Sequence, residues 1–188
     1  MSTRFFTSDL HLGHDFVART RGFDSADEHD AAILDAWAST VGARDQVWVL
    51  GDLAMSNHRR AIEQIAKLPG TKHLIAGNHD ACHPMHRRAH TRQREYFAAF
   101  ESVQTMATMK IADQKVLLSH FPYTGDHAGT NDRYPHVRLR DEGYPLLCGH
   151  VHDEWAIQEA QFNVGVDVAE AFAPFAEPAI AAWLKERT

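Results

Sequence analysis

Five short phrases stand in order along the chain: Asp9-Leu10-His11, Gly51-Asp52, Gly77-Asn78-His79-Asp80, Ser119-His120 and Gly149-His150-Val151-His152. They offer carboxylate, amide and imidazole donors and no thiolate. A pair of divalent ions about 3.5–4 Å apart needs donors of this kind, one carboxylate able to bridge, and open positions for water and a phosphate oxygen. The chemistry such a set serves is phosphoester cleavage. With Asp9 and Asp52 ionised, two divalent ions keep a net positive field, which suits an anionic phosphate and the extra charge of its transition state. One histidine of the phrases, His79, is left over for proton work.

The elements that must position these residues are legible around them. Arg4-Phe5-Phe6-Thr7-Ser8 reads as a strand, and residues two apart at its end point the same way, so Asp9 and His11 can grip one ion together. Asp52 follows the apolar run Gln46-Val47-Trp48-Val49-Leu50, the pattern of a strand buried on both faces, with Gly51 allowing a sharp exit. Asn78 follows His73-Leu74-Ile75-Ala76, His120 follows Lys115-Val116-Leu117-Leu118-Ser119, and His150 follows Pro145-Leu146-Leu147-Cys148-Gly149. Five strands thus end in candidate ligands, in keeping with ligand binding beyond the carboxyl ends of strands in α/β sheets. Each phrase alone is a weak signal, since Gly51-Asp52 by itself reads equally as a turn or a cap. The ordered set at five strand ends carries the argument.

The set resembles the calcineurin-like metallophosphoesterase superfamily, whose signature phrases are D-x-H, G-D, G-N-H-[DE], H and G-H-x-H, and especially its small prokaryotic and phage-type members. The resemblance runs over residues 4–168 and includes the softer phrases Leu68-Pro69-Gly70 and Asn163-Val164-Gly165-Val166-Asp167. It implies that Asp9, His11 and His152 hold a first metal, that Asn78, His120 and His150 hold a second, and that Asp52 bridges them. It further implies that His79 acts at the leaving oxygen with Asp80 as its partner, and that Asn78 and His79 contact substrate. His14 follows His11 by three residues, where similar small members carry a histidine, which implies a role at the substrate or behind a ligand. The implied fold is α/β, two mixed sheets packed as a sandwich flanked by helices. The implied cofactors are two divalent ions, Mn first, with Fe, Zn, Ni and Co also compatible with the donors.

Composition sets the bounds. The 188 residues, 44% of them hydrophobic, suffice for one domain with a sizeable core, taken as 1–188. A net charge of -6 argues against nucleic-acid binding by bulk electrostatics, though a local basic patch stays open. Two cysteines, Cys82 and Cys148, indicate no disulfide framework, and no apolar stretch reaches signal or membrane-spanning length; a soluble cytoplasmic protein is expected.

Between the ligand strands the pattern is helical, over Ala26–Thr40 with Ser25 as cap and over 57–68, stopped by Pro69-Gly70. The segment after Asp80 reads as helical in its second half, through Tyr96, Phe97 and Phe100. Residues 102–111 and 115–119 read as a strand pair joined near Asp113-Gln114, and the tail 178–185 as either a short helix or a final strand. The stretch 121–144, with Tyr123, His127, Arg133, Tyr134, His136, Arg138 and Arg140, joins two candidate ligands and balances between substrate contact and plain loop. The basic stretch 83–94 reads as a solvated helix face. His14 apart, the histidines outside the phrases read mostly as surface residues.

The expected reaction is hydrolysis of a small phosphate ester by a metal-activated water. A phosphodiester, such as a cyclic nucleotide, is the first choice because the chain has no separate cap domain to enclose a bulky or dianionic monoester. Phosphomonoesterase or nuclease activity on the same core is the alternative, and a non-catalytic metal-holding scaffold is a third.

Overall fold

The first half of the chain alternates strand and helix: β1 (Arg4–Thr7), α1 (Asp15–Thr20), α2 (Ala26–Thr40), β2 (Gln46–Val49), α3 (His58–Ala66), β3 (Thr71–Ile75), α4 (Ala89–Tyr96) and β4 (Ser102–Gln104). The second half is mostly strand: β5 (Met106–Ile111), β6 (Gln114–Ser119), β7 (Leu146–Cys148), β8 (Ile157–Gln158), β9 (Gln161–Asn163) and β10 (Phe175–Ala176), closed by α5 (Glu177–Glu186). The computed structural model describes residues 2–126 and 131–187; His127, part of the stretch weighed for substrate contact, lies outside them.

Two five-stranded mixed sheets result, in the orders β10-β1-β2-β3-β4 and β5-β6-β7-β9-β8. The period of two along each strand sorts the core. From the first sheet, Phe5, Val47, Val49 and Leu74 face Ile33, Trp37, Ile62, Ile65 and Tyr96 of the helices. Their neighbours Phe6, Leu50 and Ile75 face the other way, onto Val116, Leu118 and Leu147 of the second sheet, and α5 closes that layer with Ile180, Trp183 and Leu184. Burial on both faces explains the nearly continuous apolar runs. The expected sandwich with flanking helices is therefore the observed fold.

Register brings the strand ends level. Thr7 pairs with Val49 and Val49 with Leu74 in the parallel part of the first sheet. Leu118 pairs with Leu147 in the second. Parallel neighbours deliver their carboxyl ends to one side, so the segments carrying the five phrases emerge at one edge.

One expectation changes and one is resolved. The expected strand 102–111 breaks at Thr105: β4 runs parallel to β3 in the first sheet, whereas β5 pairs antiparallel with β6 in the second. Both pieces are short mixed-polarity segments, so nothing local marks the crossing between sheets. The hairpin itself turns through Ala112 and Asp113, both at positive φ (46° and 65°), as a two-residue turn between twisted strands requires. The tail 178–185 takes the helical alternative, with Pro178 in the first turn of α5, and the final strand, Phe175–Ala176, precedes it as an antiparallel edge on β1.

Candidate metal centre and active site

The loops after the strands place their side chains through backbone conformations that side chains rarely adopt. Asp9, His11, Asp52, His150 and His152 all lie at positive φ, between 47° and 74°. Such residues cost about 1–3 kcal/mol each and persist where the surroundings fix them, most often at functional sites. Here the fixing is visible. The Asp9 and His11 N–H groups donate to the Gly51 and Asp52 carbonyls, each at 3.0 Å. At Gly149 a side chain would overlap Ser8 Oγ and Asp9 Oδ2, so the glycine before His150 makes room for the carboxylate across the two sheets. That carboxylate oxygen, Asp9 Oδ2, accepts from the His150 N–H at 3.0 Å.

Two clusters of donor atoms form in the edge, Asp9 with His11 and His152, and Asp9 with Asp52 and His120; within each, one atom per residue lies within 4.8 Å of the others. Asp52 Oδ2 of the second cluster also approaches the first, 3.8 Å from His11 Nε2 and 3.4 Å from His120 Nε2. Asn78 Oδ1 joins His120 Nε2 at 3.1 Å. The His150 ring packs 5.2 Å from that of His120, with its Nε2 turned to Asp126 Oδ2 at 3.3 Å. All seven expected ligands thus meet in one place. The cysteines do not join them: Cys82 and Cys148 are buried free thiols in the apolar clusters.

Charge and burial match a cation. Burial holds the His11 imidazole well below its ordinary value, and burial reinforced by His120 holds His150 down to about 3, so both are neutral donors at pH 7. Burial also opposes protonation of His120, yet the Asp52 carboxylate outweighs it and lifts His120 to about 9. Burial pushes Asp52 up, but His120 prevails and leaves it low. Asp9 is raised by burial first, with His120 and His152 pulling against it. Among the described residues, three of the buried polar atoms without a hydrogen-bond partner belong to these clusters, namely Asp9 Oδ1 and both ring nitrogens of His11. Leaving such atoms unmet costs about 1–3 kcal/mol each, and a divalent ion would satisfy Asp9 Oδ1 and one ring nitrogen together.

His79 differs from the candidate ligand histidines. Its side chain is 33% exposed, its Nε2 stands 3.9 Å from Asp52 Oδ2, and its backbone N–H donates to Asp52 Oδ1 at 2.9 Å. Burial lowers its pKa, with Asp52 pulling the other way. Asp80, expected as its partner, is elsewhere: its oxygens accept from the N–H groups of Asp52 (2.9 Å), Gly77 (2.8 Å) and Leu53 (3.2 Å). It shapes the Asp52 loop, because a carboxylate that collects three backbone donors is fully committed to them. Burial, with Asp52 nearby, lifts Asp80 to about 6. His14 lies 6.3 Å from the His11 ring, half-buried, and its Nδ1 accepts from Val17 N–H as the cap of α1.

Several residues here were not among the expected site residues. Asp126 is buried in the long loop, bound by Arg133 (2.9 Å) and Arg138 (2.8 Å) and accepting from His150. Arg21, just past α1, donates to the Asp9 carbonyl at 2.7 Å and clasps Asp167 with two nitrogens. Asp167, whose only hint was the phrase 163–167, accepts from His152 Nδ1 at 3.0 Å. Of the remaining described histidines, His86, His90 and His136 are exposed as expected, and two depart from that expectation. His29 and His83 are buried, and the Nε2 atoms of His58 and His86 donate to the carbonyls of His79 (2.7 Å) and Asn78 (2.9 Å). Single histidines give no periodic signal, so their folding inward is a tertiary fact.

Residues 6–168 match the model of the calcineurin-like phosphoesterase superfamily domain. The chain is 42% identical over 182 residues to the gene 66 protein of Mycobacterium phage L5, covering 89% of this chain and 87% of that one. It is 39% identical over 189 residues to the gene 66 protein of Mycobacterium phage D29, covering 94% of each. Among solved structures, a protein of unknown function from Aquifex aeolicus superposes with a TM-score of 0.73 at 20% identity, over 97% of this chain and all of that one, a likeness of fold. No helix among the described residues is long and apolar enough to cross a membrane.

Proposed function

The chain belongs to the calcineurin-like phosphoesterase superfamily, whose members hydrolyse phosphoesters with metal ions, and on that premise we propose a two-ion phosphodiesterase acting on small diesters such as cyclic nucleotides. The observation that carries the reading is the group of unmet buried atoms, Asp9 Oδ1 and the two nitrogens of His11, in an edge ringed by further carboxylate and imidazole donors. Asp9, His11 and His152 would hold one ion and Asn78, His120 and His150 the other, with Asp52 shared, as its approach to both His11 and His120 favours. Divalent ions supply a water of near-neutral pKa and charge to balance the phosphate oxygens. Mn is the first metal to supply, because oxygen and imidazole donors without thiolate suit it.

The chain's own groups do the rest. His79, exposed at the mouth and anchored through its backbone to Asp52, donates a proton or hydrogen bond to the departing alkoxide. His150 and His152 are each held by a carboxylate, Asp126 and Asp167, which fixes their tautomers. A diester is favoured over a dianionic monoester because Arg133 and Arg138, the cations near His150, are bound to Asp126 and so offer less to a second phosphate charge.

The experiment is turnover of bis(p-nitrophenyl) phosphate and p-nitrophenyl phosphate by the purified chain with added Mn, with and without chelator. Metal-dependent cleavage with the diester preferred is expected. Preference for the monoester would move the reading to a phosphomonoesterase, and absence of turnover with bound metal would favour the scaffold.

A further inference from the structure

The basic stretch 83–94 lies beside the catalytic edge. A cleft of about 400 Å³ opens there, lined in part by Met55, His58, His79, His86, Arg88 and Arg92. That is the size of a small-molecule site. Among the described residues no carboxylate lines it, in a chain of net charge -6. Two of its histidines are already engaged, since His58 and His86 donate to the carbonyls of His79 and Asn78 and thereby hold the floor of the cleft.

The two arginines are the groups left to meet a ligand. Arg92 pairs with Glu95 at 2.9 Å through Nη2, while its Nε is buried without a hydrogen-bond partner. Arg88 precedes α4, makes no side-chain cap bond, and is exposed. Guanidinium groups bind phosphate through several parallel N–H bonds, and the Arg92 side chain, 44% exposed, is open to such a ligand. Met55, 42% exposed, adds an apolar wall.

We propose that this cleft receives the leaving alcohol of the substrate and that Arg88 and Arg92 bind a second phosphate carried on that alcohol. The inference rests on the phosphodiesterase reading, because it is His79, at the leaving oxygen in that reading, that joins the cleft to the site. The substrate class is a diester whose leaving side is itself a phosphorylated alcohol, such as a short oligonucleotide ending in a phosphate. The net charge and the small volume of the cleft favour this over a long polymer track.

The test compares the thymidine dinucleotide TpT with TpTp, which adds a terminal 3′-phosphate to the leaving nucleoside, using the metal-loaded full chain. The wild type should favour TpTp in kcat/KM by about tenfold, and Arg88→Gln/Arg92→Gln should bring the ratio to about one. Equal use of both by the wild type, or a preference that survives the double substitution, overturns the proposal. Calorimetry with thymidine 3′-phosphate supplies a readout without turnover, since binding to the metals alone would be the same in both proteins. Binding about tenfold weaker in the variant supports the subsite, and equal binding overturns it. If neither dinucleotide is cleaved, the phosphodiesterase reading fails, and the calorimetry still decides whether the arginines hold a phosphate.

Discussion

Asp167 Oδ2 accepts a 3.0 Å hydrogen bond from His152 Nδ1 while Arg21 clasps the same carboxylate, and Arg21 also holds the Asp9 carbonyl. One guanidinium thus ties together two residues proposed for the same ion, 143 positions apart by their numbers, 152 − 9. The carboxylate selects the tautomer of His152 that leaves Nε2 as the donor atom. Asp167→Asn should therefore weaken metal binding by about 10- to 100-fold with little loss of fold. Metal content at a buffered series of free Mn concentrations measures this, and an unchanged affinity would remove Asp167 from the site.

Asp52→Ala addresses the shared position. Because Asp52 Oδ2 lies near both His11 and His120, its loss should deplete both ions, whereas His152→Ala should deplete one. Elemental analysis decides. Two metals per chain at full occupancy in Asp52→Ala would sink the bridge.

His79→Ala should behave differently from either. With His79 at the leaving group, metal content should stay near the wild-type level while turnover falls by a factor on the order of 100 to 10,000. The loss should grow with leaving-group pKa, being small for a nitrophenolate and large for a sugar alkoxide. Equal losses across the series would make His79 a positioning residue, and lost metal would contradict its placement.

Stability should depend on pH through His83. This side chain is buried, accepts from the Met85 N–H at 3.1 Å through Nδ1, and is lowered to about 4 from 6.5, by burial first and then by His120. The unfolded chain then binds the proton more readily than the folded one. Stability from this group is full above about 6.5 and is lost as pH falls toward 4, by at most about 3 kcal/mol. Urea unfolding at a series of pH values, with metal chelated throughout, should show this slope reduced in His83→Gln. An identical slope in the variant would exclude His83 as its source.

The chain's own order of residues was enough to determine the candidate ligand phrases, the strands before them and the two longer helices. These are local facts: a strand's period of two, a glycine at its exit and a helical stripe are written within a few positions of one another. Tertiary structure alone decided the partners. Asp126 and Asp167 reach His150 and His152 across 24 and 15 positions, and Arg21 reaches Asp167 across 146, separations at which no pattern links them. The same reason governs Asp80, which sequence adjacency paired with His79 but which the packing of loops turns toward the backbone of Asp52. It governs the break at Thr105, where similar short segments enter different sheets, and the meeting of Arg88, exposed as its pattern indicated, and Arg92, its side chain 44% exposed, with His79 in one cleft. Which atoms face one another across the edge depends on how two sheets stack, and that is a property of the whole core.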